Sequence, residues 1–408
     1  MTNILSWKEL AEYSINDFDR INGKTNSYSN LRLFNHSEKE AELILYRDRH
    51  AWCPYCQKIW LWLELKRIPY KIKKINMFCY GKKENWYLKK VNSGKLPAIE
   101  FKGQVVTESD LIISFLEKEY GVLGSPIFSI KLENLRKIER EIFRSWCEWL
   151  CRKSFLLIES SIKEKTLKQT LKKLEDLLSN SSTGFLDPID EKIDNIRPGT
   201  GDIIFIPYLE RLNASLCYYK GFSLREEFPK INNWLTLLEN QSTYLGTQGD
   251  FHTHAHDLPP QMGGCFIEDN PKQLYYSELI DNGQGLGPLE INRIHDLTNY
   301  SKLALTRVIK HKENLIKSNP CDNNLFEYGL RSVLTYLSTG EINKTDDSCA
   351  IGLRYLRDRI SVPRDMPLIS ARILRKSLEK IASLCNSKEI YQIPTKHRYD
   401  QNPSEFIC

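Results

Sequence analysis

Two cysteines, Cys53 and Cys56, flank Pro54 and Tyr55. An apolar run over 43–47 precedes them, and a helical pattern with Ile59, Trp60, Leu63 and Leu65 at apolar positions follows, so the pair falls where a loop turns into a helix. Pro54 suits the first helical position, because its φ is already helical and its missing N–H would be unpaired there. Cys53 is then the N-cap, where free backbone N–H groups and the positive end of the helix favour its anion over its neutral thiol. The thiolate is the nucleophilic form of cysteine. Lys58, Arg49 and His50 add positive or titratable character nearby, so the spacing predicts a lowered pKa at Cys53. Cys56 lies one turn along and is less favoured by the dipole; it is placed either to resolve a disulfide at Cys53 or simply to pack.

Half of a zinc site is the competing reading of this spacing, and it needs a second ligand pair. None follows: Cys79, Cys147, Cys151, Cys217, Cys265, Cys321, Cys349, Cys385 and Cys408 read as scattered, with Cys147 and Cys151 on one helix face. The chain of 408 residues suggests two or three domains, and a 41% hydrophobic fraction supplies a sizeable core. No run approaches the ~20 apolar residues that span a bilayer, and the N-terminus lacks the charged and apolar regions of a signal peptide. Eleven cysteines, an odd count without an export signal, predict a mostly reduced protein in a cytoplasmic compartment. The net charge of +6 is mild and spread out, weak support for nucleic acid or an anionic membrane, so a solvated basic surface without a nucleic-acid partner is the expectation.

The elements that must hold the cysteines are legible around them. Residues 1–41 read as a polar extension packed on the outside, with a helix over 6–18. From 42 to 121 the pattern gives strands over 43–47 and 70–75, a helix over 54–66, a helical turn around Trp86, strands over 98–101 and 104–106 joined by Lys102-Gly103, and a helix over 110–120. A βαβ unit, a hairpin and a closing helix make the thioredoxin-like arrangement. Pro97 at a strand start cannot donate to a ladder, so Leu96 keeps backbone groups free for an extended peptide. Ser109 and the amides opening the next helix form a site for a carboxylate, and Glu108 can accept from an ammonium. Each has a plainer alternative: a turn at Pro97, and a helix cap at Glu108 and Ser109.

Leu96-Pro97-Ala98-Ile99 followed by Thr107-Glu108-Ser109-Asp110 resembles the glutathione-binding half of the soluble glutathione transferases. The resemblance implies that Leu96, before a cis Pro97, pairs with the cysteinyl part of glutathione, that Glu108 and Ser109 hold its γ-glutamyl end, and that Lys82 or Lys83 reaches its glycyl carboxylate. Cysteine in the nucleophile position is similar to the omega, glutathionyl-hydroquinone reductase and dehydroascorbate reductase groups. The CPYC motif with a long C-terminal extension resembles most closely the iota class of photosynthetic organisms. Glutathione as cofactor, a small electrophile, quinone or disulfide as substrate, and a homodimer are what this resemblance implies.

Gly121 to Pro126 reads as a linker to an all-helical transferase domain over 127–262, with helices over 129–150 and 160–178. The family's buried helix start falls at Pro198 to Asp202, where Gly199 stands in place of the usual Ser or Thr. Trp146, Trp149, Tyr208 and Arg211 are the expected lining of a substrate cleft between the domains. In Gly249 to Cys265, His252, His254 and His256 would point to one side if extended, a weak metal candidate with Asp257 nearby; the Pro-Pro and Gly-Gly steps favour a rigid loop. Residues 266–408 read as a helical extension of unknown role. Its 354–380 segment holds eight Arg/Lys against three acids, read as a solvated face.

The expected activity is that of a glutathione-dependent thiol transferase or reductase: deglutathionylation, or reduction of mixed disulfides, quinones or dehydroascorbate. The alternative is a transferase-fold scaffold whose C-terminal helices bind a protein, pigment or cofactor.

Overall fold

The computed structural model describes residues 4–16, 19–189, 196–292, 297–319, 321–343 and 345–385. After α1 (Trp7–Glu12), a five-stranded sheet is built from β1 (Leu31–Arg32), β2 (Leu43–Asp48), β3 (Tyr70–Ile75), β4 (Ala98–Phe101) and β5 (Gln104–Thr107), in the order β1-β3-β2-β4-β5. β2 and β3 are parallel, joined by α2 (Pro54–Lys66); α3 (Asn85–Lys90) leads into the antiparallel hairpin β4–β5, and α4 (Ser109–Tyr120) closes the layer. α2 lies beneath the rest of the molecule, with every residue from Cys56 to Leu65 buried. This is a thioredoxin-like α/β domain followed by a helical domain, which also holds a short antiparallel pair of Pro188–Ile189 with Arg197–Pro198, and a further helical extension.

The helical domain comprises α5 (Ile130–Cys151), α6 (Leu157–Ser179), the short α7 (Thr200–Ile203), α8 (Ile206–Lys220), α9 (Leu224–Glu227), α10 (Pro229–Leu238) and α11 (Ser242–Leu245). Ser129 caps α5, its hydroxyl accepting from Leu132 N–H at 3.4 Å. Every residue of α8 is buried, so it is the axis of the domain. Gly199 is the N-cap of α7; the N–H that a side-chain acceptor would take there, on Gly201, goes to Asp187 Oδ2 at 3.2 Å, and the loop before the helix is tied down by Asp202. That fully buried carboxylate accepts from Leu186 N–H (2.8 Å), Asp187 N–H (3.0 Å) and Trp234 Nε1–H (2.8 Å). Replacing it with alanine strands three buried donors, each worth on the order of 1–3 kcal/mol. Asp202→Ala is expected to lower stability by ~3 kcal/mol or more, read as a shifted denaturant midpoint.

α12 (Phe251–Met262) overturns the loop expected around the three histidines. Asp250 caps it, accepting from Thr253 N–H at 2.9 Å. Pro259 and Pro260 sit inside the helix, and the carbonyl that Pro259 cannot serve, on Ala255, accepts from the Tyr219 hydroxyl at 2.7 Å. A tertiary partner thus keeps helical a segment whose local sequence says turn.

The extension continues through α13 (Pro271–Asp281), α14 (Leu297–Lys317), α15 (Asn323–Thr339), α16 (Ala350–Arg359) and α17 (Leu368–Ala382). Residues 386–408 lie outside the described residues; the helix expected over 6–18 stops at Glu12, and 17–18 lie outside them as well. The basic 354–380 segment is not a solvated face. Arg357, Arg372 and Arg375 are buried and pair with Asp358 and Glu379, with Glu290, and with Asp250. The extension is fastened to α12 by charge.

Residues 1–41 are likewise more than an outer wrap. Leu10 belongs to the apolar core of the extension, and Trp7 Nε1–H donates to Glu327 at 2.8 Å. Arg32 in β1 forms a bidentate pair with Glu64 of α2 (2.9 and 3.0 Å), which also accepts from Thr25 and Tyr70. Two residues of edge strand inside a polar stretch are too short to show a period.

Candidate active site

Cys53 is the N-cap of α2 and Pro54 its first residue. Its backbone is extended (φ −68°, ψ 119°), and its Sγ accepts from Cys56 N–H at 3.4 Å. The residue is only 8% exposed, yet it lines an open cleft of about 1150 Å³ between the sheet domain and α5. Tyr55, Lys58, Lys83, Leu96, Pro97, Glu108 and Ser109 line the same cleft. The residues read as a tripeptide cradle from three separate stretches of sequence therefore converge on one sulfur.

The Leu96–Pro97 peptide is cis. Glu108, before α4, has φ 65°, a conformation costly for a residue with a side chain, and its carboxylate meets Lys95 Nζ at 3.4 Å. Lys58 Nζ donates to Ser109 Oγ (3.5 Å) and Asp110 (3.2 Å). Burial would raise the Asp110 carboxyl, but Lys58 and Arg136 overcome it and hold the pKa low. Of the two lysines considered for the glycyl end, Lys83 lines the cleft, its Nζ donating to Asn76 O at 2.9 Å, with burial lowering its pKa; Lys82 is exposed and outside the lining. Arg49 is tied to Glu84 at 3.3 Å, and His50 is buried and stacked on Trp52. Neither lines the cleft.

Cys56 is fully buried, 1% exposed, and burial drives its pKa well up. Ligand-type atoms of Asp48, Cys53 and Cys56 lie within 4.8 Å of one another, the one such trio among the described residues. It supplies three ligands where structural zinc takes four. The histidines form no such trio. His254 Nε2 meets Glu210 at 2.8 Å, His256 Nε2 meets Asp281 at 2.8 Å, and His252 faces Asp358 at 3.6 Å. A helix turns residues two apart to opposite sides, so His254 points away from His252 and His256, which pack ring to ring at 4.8 Å, and each ring has its own carboxylate.

Trp146, Trp149, Tyr208 and Arg211 do not line the cleft. All four are at most 2% exposed. Trp146 and Trp149 donate to Ser215 and Ser160, each at 3.0 Å, and Tyr208 lies beneath Phe143 with centroids 5.3 Å apart. Arg211 is a clamp, donating to Trp52 O (2.6 and 3.2 Å), Gln57 Oε1 (2.7 Å) and Pro207 O (2.8 Å). Bulk and aromaticity marked these residues as important, and the importance is packing.

The wall they were expected to form is instead the charged face of α5: Glu133, Arg136, Lys137, Arg140, Glu141 and Arg144. Their 3–4 residue spacing is readable in the sequence as one helix face, a charged signal that an apolar lining would not carry. Cys79, beside Phe78, is a second thiol lining the cleft, its pKa pushed up to about 12 by burial. Some of the other cysteines are neighbours: the free thiols of Cys147, Cys151 and Cys265 perturb one another, as do those of Cys349 and Cys385.

Among known proteins, residues 52–119 match the family model described as "Glutathione S-transferase, N-terminal domain". "Glutathione S-transferase DHAR2" of Arabidopsis thaliana is 29% identical over 197 residues, 48% of this chain and 84% of the relative. "Glutathione transferase omega-1" of Caenorhabditis elegans is 24% identical over 197 residues, 45% of this chain and 72% of the relative. Among solved structures, the Chlamydomonas reinhardtii dehydroascorbate reductase matches at 19% identity with a TM-score of 0.40, covering 55% of this chain and 95% of that one. No helix of the described residues is long and apolar enough to cross a membrane. Over residues 52–119, then, the chain is similar to the N-terminal domain of glutathione S-transferases, and that stretch holds Cys53, Leu96, Pro97, Glu108 and Ser109.

Proposed function

We propose that this chain is an enzyme, a glutathione transferase of the thiol transferase and reductase type, with glutathione as cofactor and Cys53 as nucleophile. The observation that carries the reading is the placement of Cys53 at the mouth of α2 in one cleft with Leu96, Pro97, Glu108 and Ser109. The Cys53 thiolate attacks a glutathione mixed disulfide at the glutathionyl sulfur. The Cys53–glutathione disulfide forms, the substrate leaves as its thiolate, and a second glutathione thiolate then releases glutathione disulfide and restores Cys53. One disulfide is broken for each one made. Ser109 and the α4 amides receive the γ-glutamyl carboxylate, Glu108 its ammonium, and Lys83 is the lysine placed for the glycyl end.

Glutathione rather than Cys56 serves as resolving thiol in this reading, because Cys56 is walled off behind Cys53. Cys56→Ala is therefore expected to retain turnover within about threefold of the parent, measured on a glutathione mixed disulfide. The names of the relatives support dehydroascorbate or another small oxidant as substrate, and Cys53-Pro54-Tyr55-Cys56 with the helical extension supports the iota-like class. A homodimer in a cytoplasmic setting completes the reading. Exposure of the protein to glutathione disulfide, followed by peptide mass spectrometry, is the direct test: one glutathionyl group is expected on Cys53, and an unmodified Cys53 beside a labelled Cys79 would refute the assignment.

A further inference from the structure

The α5 wall of the cleft is built almost entirely of charge. Arg136, Arg140 and Arg144 recur every fourth residue with Lys137 beside them, against Glu133, Glu139 and Glu141. The acids are already committed. Glu133 holds Lys137 at 2.9 Å, Glu139 is 5% exposed and grips Arg140, and Glu141 reaches away to Lys173 on α6 at 2.6 Å. Arg144 is exposed and has no carboxylate within salt-bridge reach among the described residues. Arg140 lies flat over the rings of Phe143 and Tyr208, 4.6 and 4.9 Å from their centroids, which fixes its guanidinium while leaving its side chain 43% exposed. Arg136 is held by Asp110, beside the cradle itself, at 2.7 Å. A row of fixed guanidinium groups thus runs outward from the glutathione half of the cleft.

Such a wall offers an apolar electrophile little to bury against. It offers carboxylates bidentate or charge-assisted partners at regular intervals. From Glu133 to Arg144 the helix makes eleven residue steps, about 16 Å at 1.5 Å each, which matches about five residues of extended peptide at ~3.3 Å each. The volume of about 1150 Å³ also exceeds the ~300–1,000 Å³ of an ordinary small-ligand pocket. Resting on the thiol transferase reading above, we propose that the second half of the cleft takes an acidic peptide segment: the substrate is a protein glutathionylated at a cysteine flanked by Asp or Glu, whose carboxylates lie along Arg136, Arg140 and Arg144 while its glutathionyl moiety occupies the cradle at Cys53.

Two peptides of equal length, each glutathionylated at one cysteine and flanked by aspartates in one and lysines in the other, test this together with a small uncharged glutathione mixed disulfide. At low ionic strength kcat/KM for the acidic peptide is expected to exceed that for the basic one by about tenfold or more, the gap narrowing as salt screens it. Arg144→Glu is expected to slow the acidic peptide and speed the basic one, and Arg144→Ala to move the ratio the same way by a smaller step; a merely structural role for Arg144 would slow both. A wild-type ratio near one, or a ratio that Arg144→Glu leaves unmoved, overturns the proposal while turnover of the small disulfide leaves the thiol transferase reading standing. Failure to turn over any of the three substrates removes both.

Discussion

Cys53→Ser is expected to lower glutathione-dependent reduction of a mixed disulfide by at least ~10³-fold, the scale on which removal of a covalent nucleophile is felt, with the melting temperature nearly unchanged. The hydroxyl fits the N-cap at least as well as the thiol, since serine is among the favoured capping residues. The loss would therefore be chemical rather than structural. A serine cannot form the glutathionyl disulfide, so the first step has no product. The same variant is expected to gain conjugation of glutathione to an electrophilic aryl chloride, because a hydroxyl at the helix mouth can hold a bound glutathione thiolate without being captured by it. Disulfide reduction retained in Cys53→Ser would take the residue out of the mechanism.

Arg211→Ala carries the second large effect. Four hydrogen bonds join this guanidinium to the Trp52 carbonyl, Gln57 and Pro207, and beside it Gln57 Nε2–H donates to Glu210 at 3.2 Å. The peptide it grips leads directly into Cys53. Breaking a buried charged network by deleting one partner costs ~3–5 kcal/mol, so calorimetry should show a large fall in stability. Activity is expected to drop as well, since the Cys53 loop loses its tether to α8. Arg211→Lys, which keeps the charge but not the fork, should recover only part of either.

The same network gives stability a pH signature through Glu210 and His254. Burial would raise the Glu210 carboxyl, but His254 and Arg211 hold it below the ordinary 4.5. Burial and Arg211 would lower His254, but Asp257 and Glu210 carry it above 6.5. The carboxylate's contribution is present above pH 4.5 and lost as pH falls through its lowered value. The imidazolium's is complete below pH 6.5 and lost as pH rises through its raised value. Both act in full between about pH 4.5 and 6.5. His254→Gln is expected to cost most stability in that window and progressively less at alkaline pH, read from denaturation at several pH values.

What the sequence made legible follows from range. The strand, N-cap and helix around Cys53 are fixed by periodicity and by Pro54, both local signals, and they stand within a residue of where the pattern puts them. That Leu96, Pro97, Glu108 and Ser109 line one cleft with Cys53 agrees with local signals, since a proline and a helix start leave backbone groups open. Arg211 and Tyr208 were misplaced because a side chain's composition does not say which face of a wholly buried helix it leaves by. The α12 histidines failed differently: two prolines and two glycines argue for a turn, and only the Tyr219 hydroxyl, 36 residues away from the carbonyl it serves, reverses that. The burial of Arg357, Arg372 and Arg375 is illegible locally for the same reason, since Glu379, Glu290 and Asp250 lie on other elements.

The sharing of one apolar core by Leu10 and the far helices sets an order of events during synthesis. Trp7 and its partner Glu327 are 320 residues apart, so at ~5–20 residues per second a ribosome needs roughly 16–64 s between making one and making the other. Throughout that interval the first helix has no surface to settle on, while the sheet domain behind it can already close. The opening of the chain is thus among the last parts to reach its resting place.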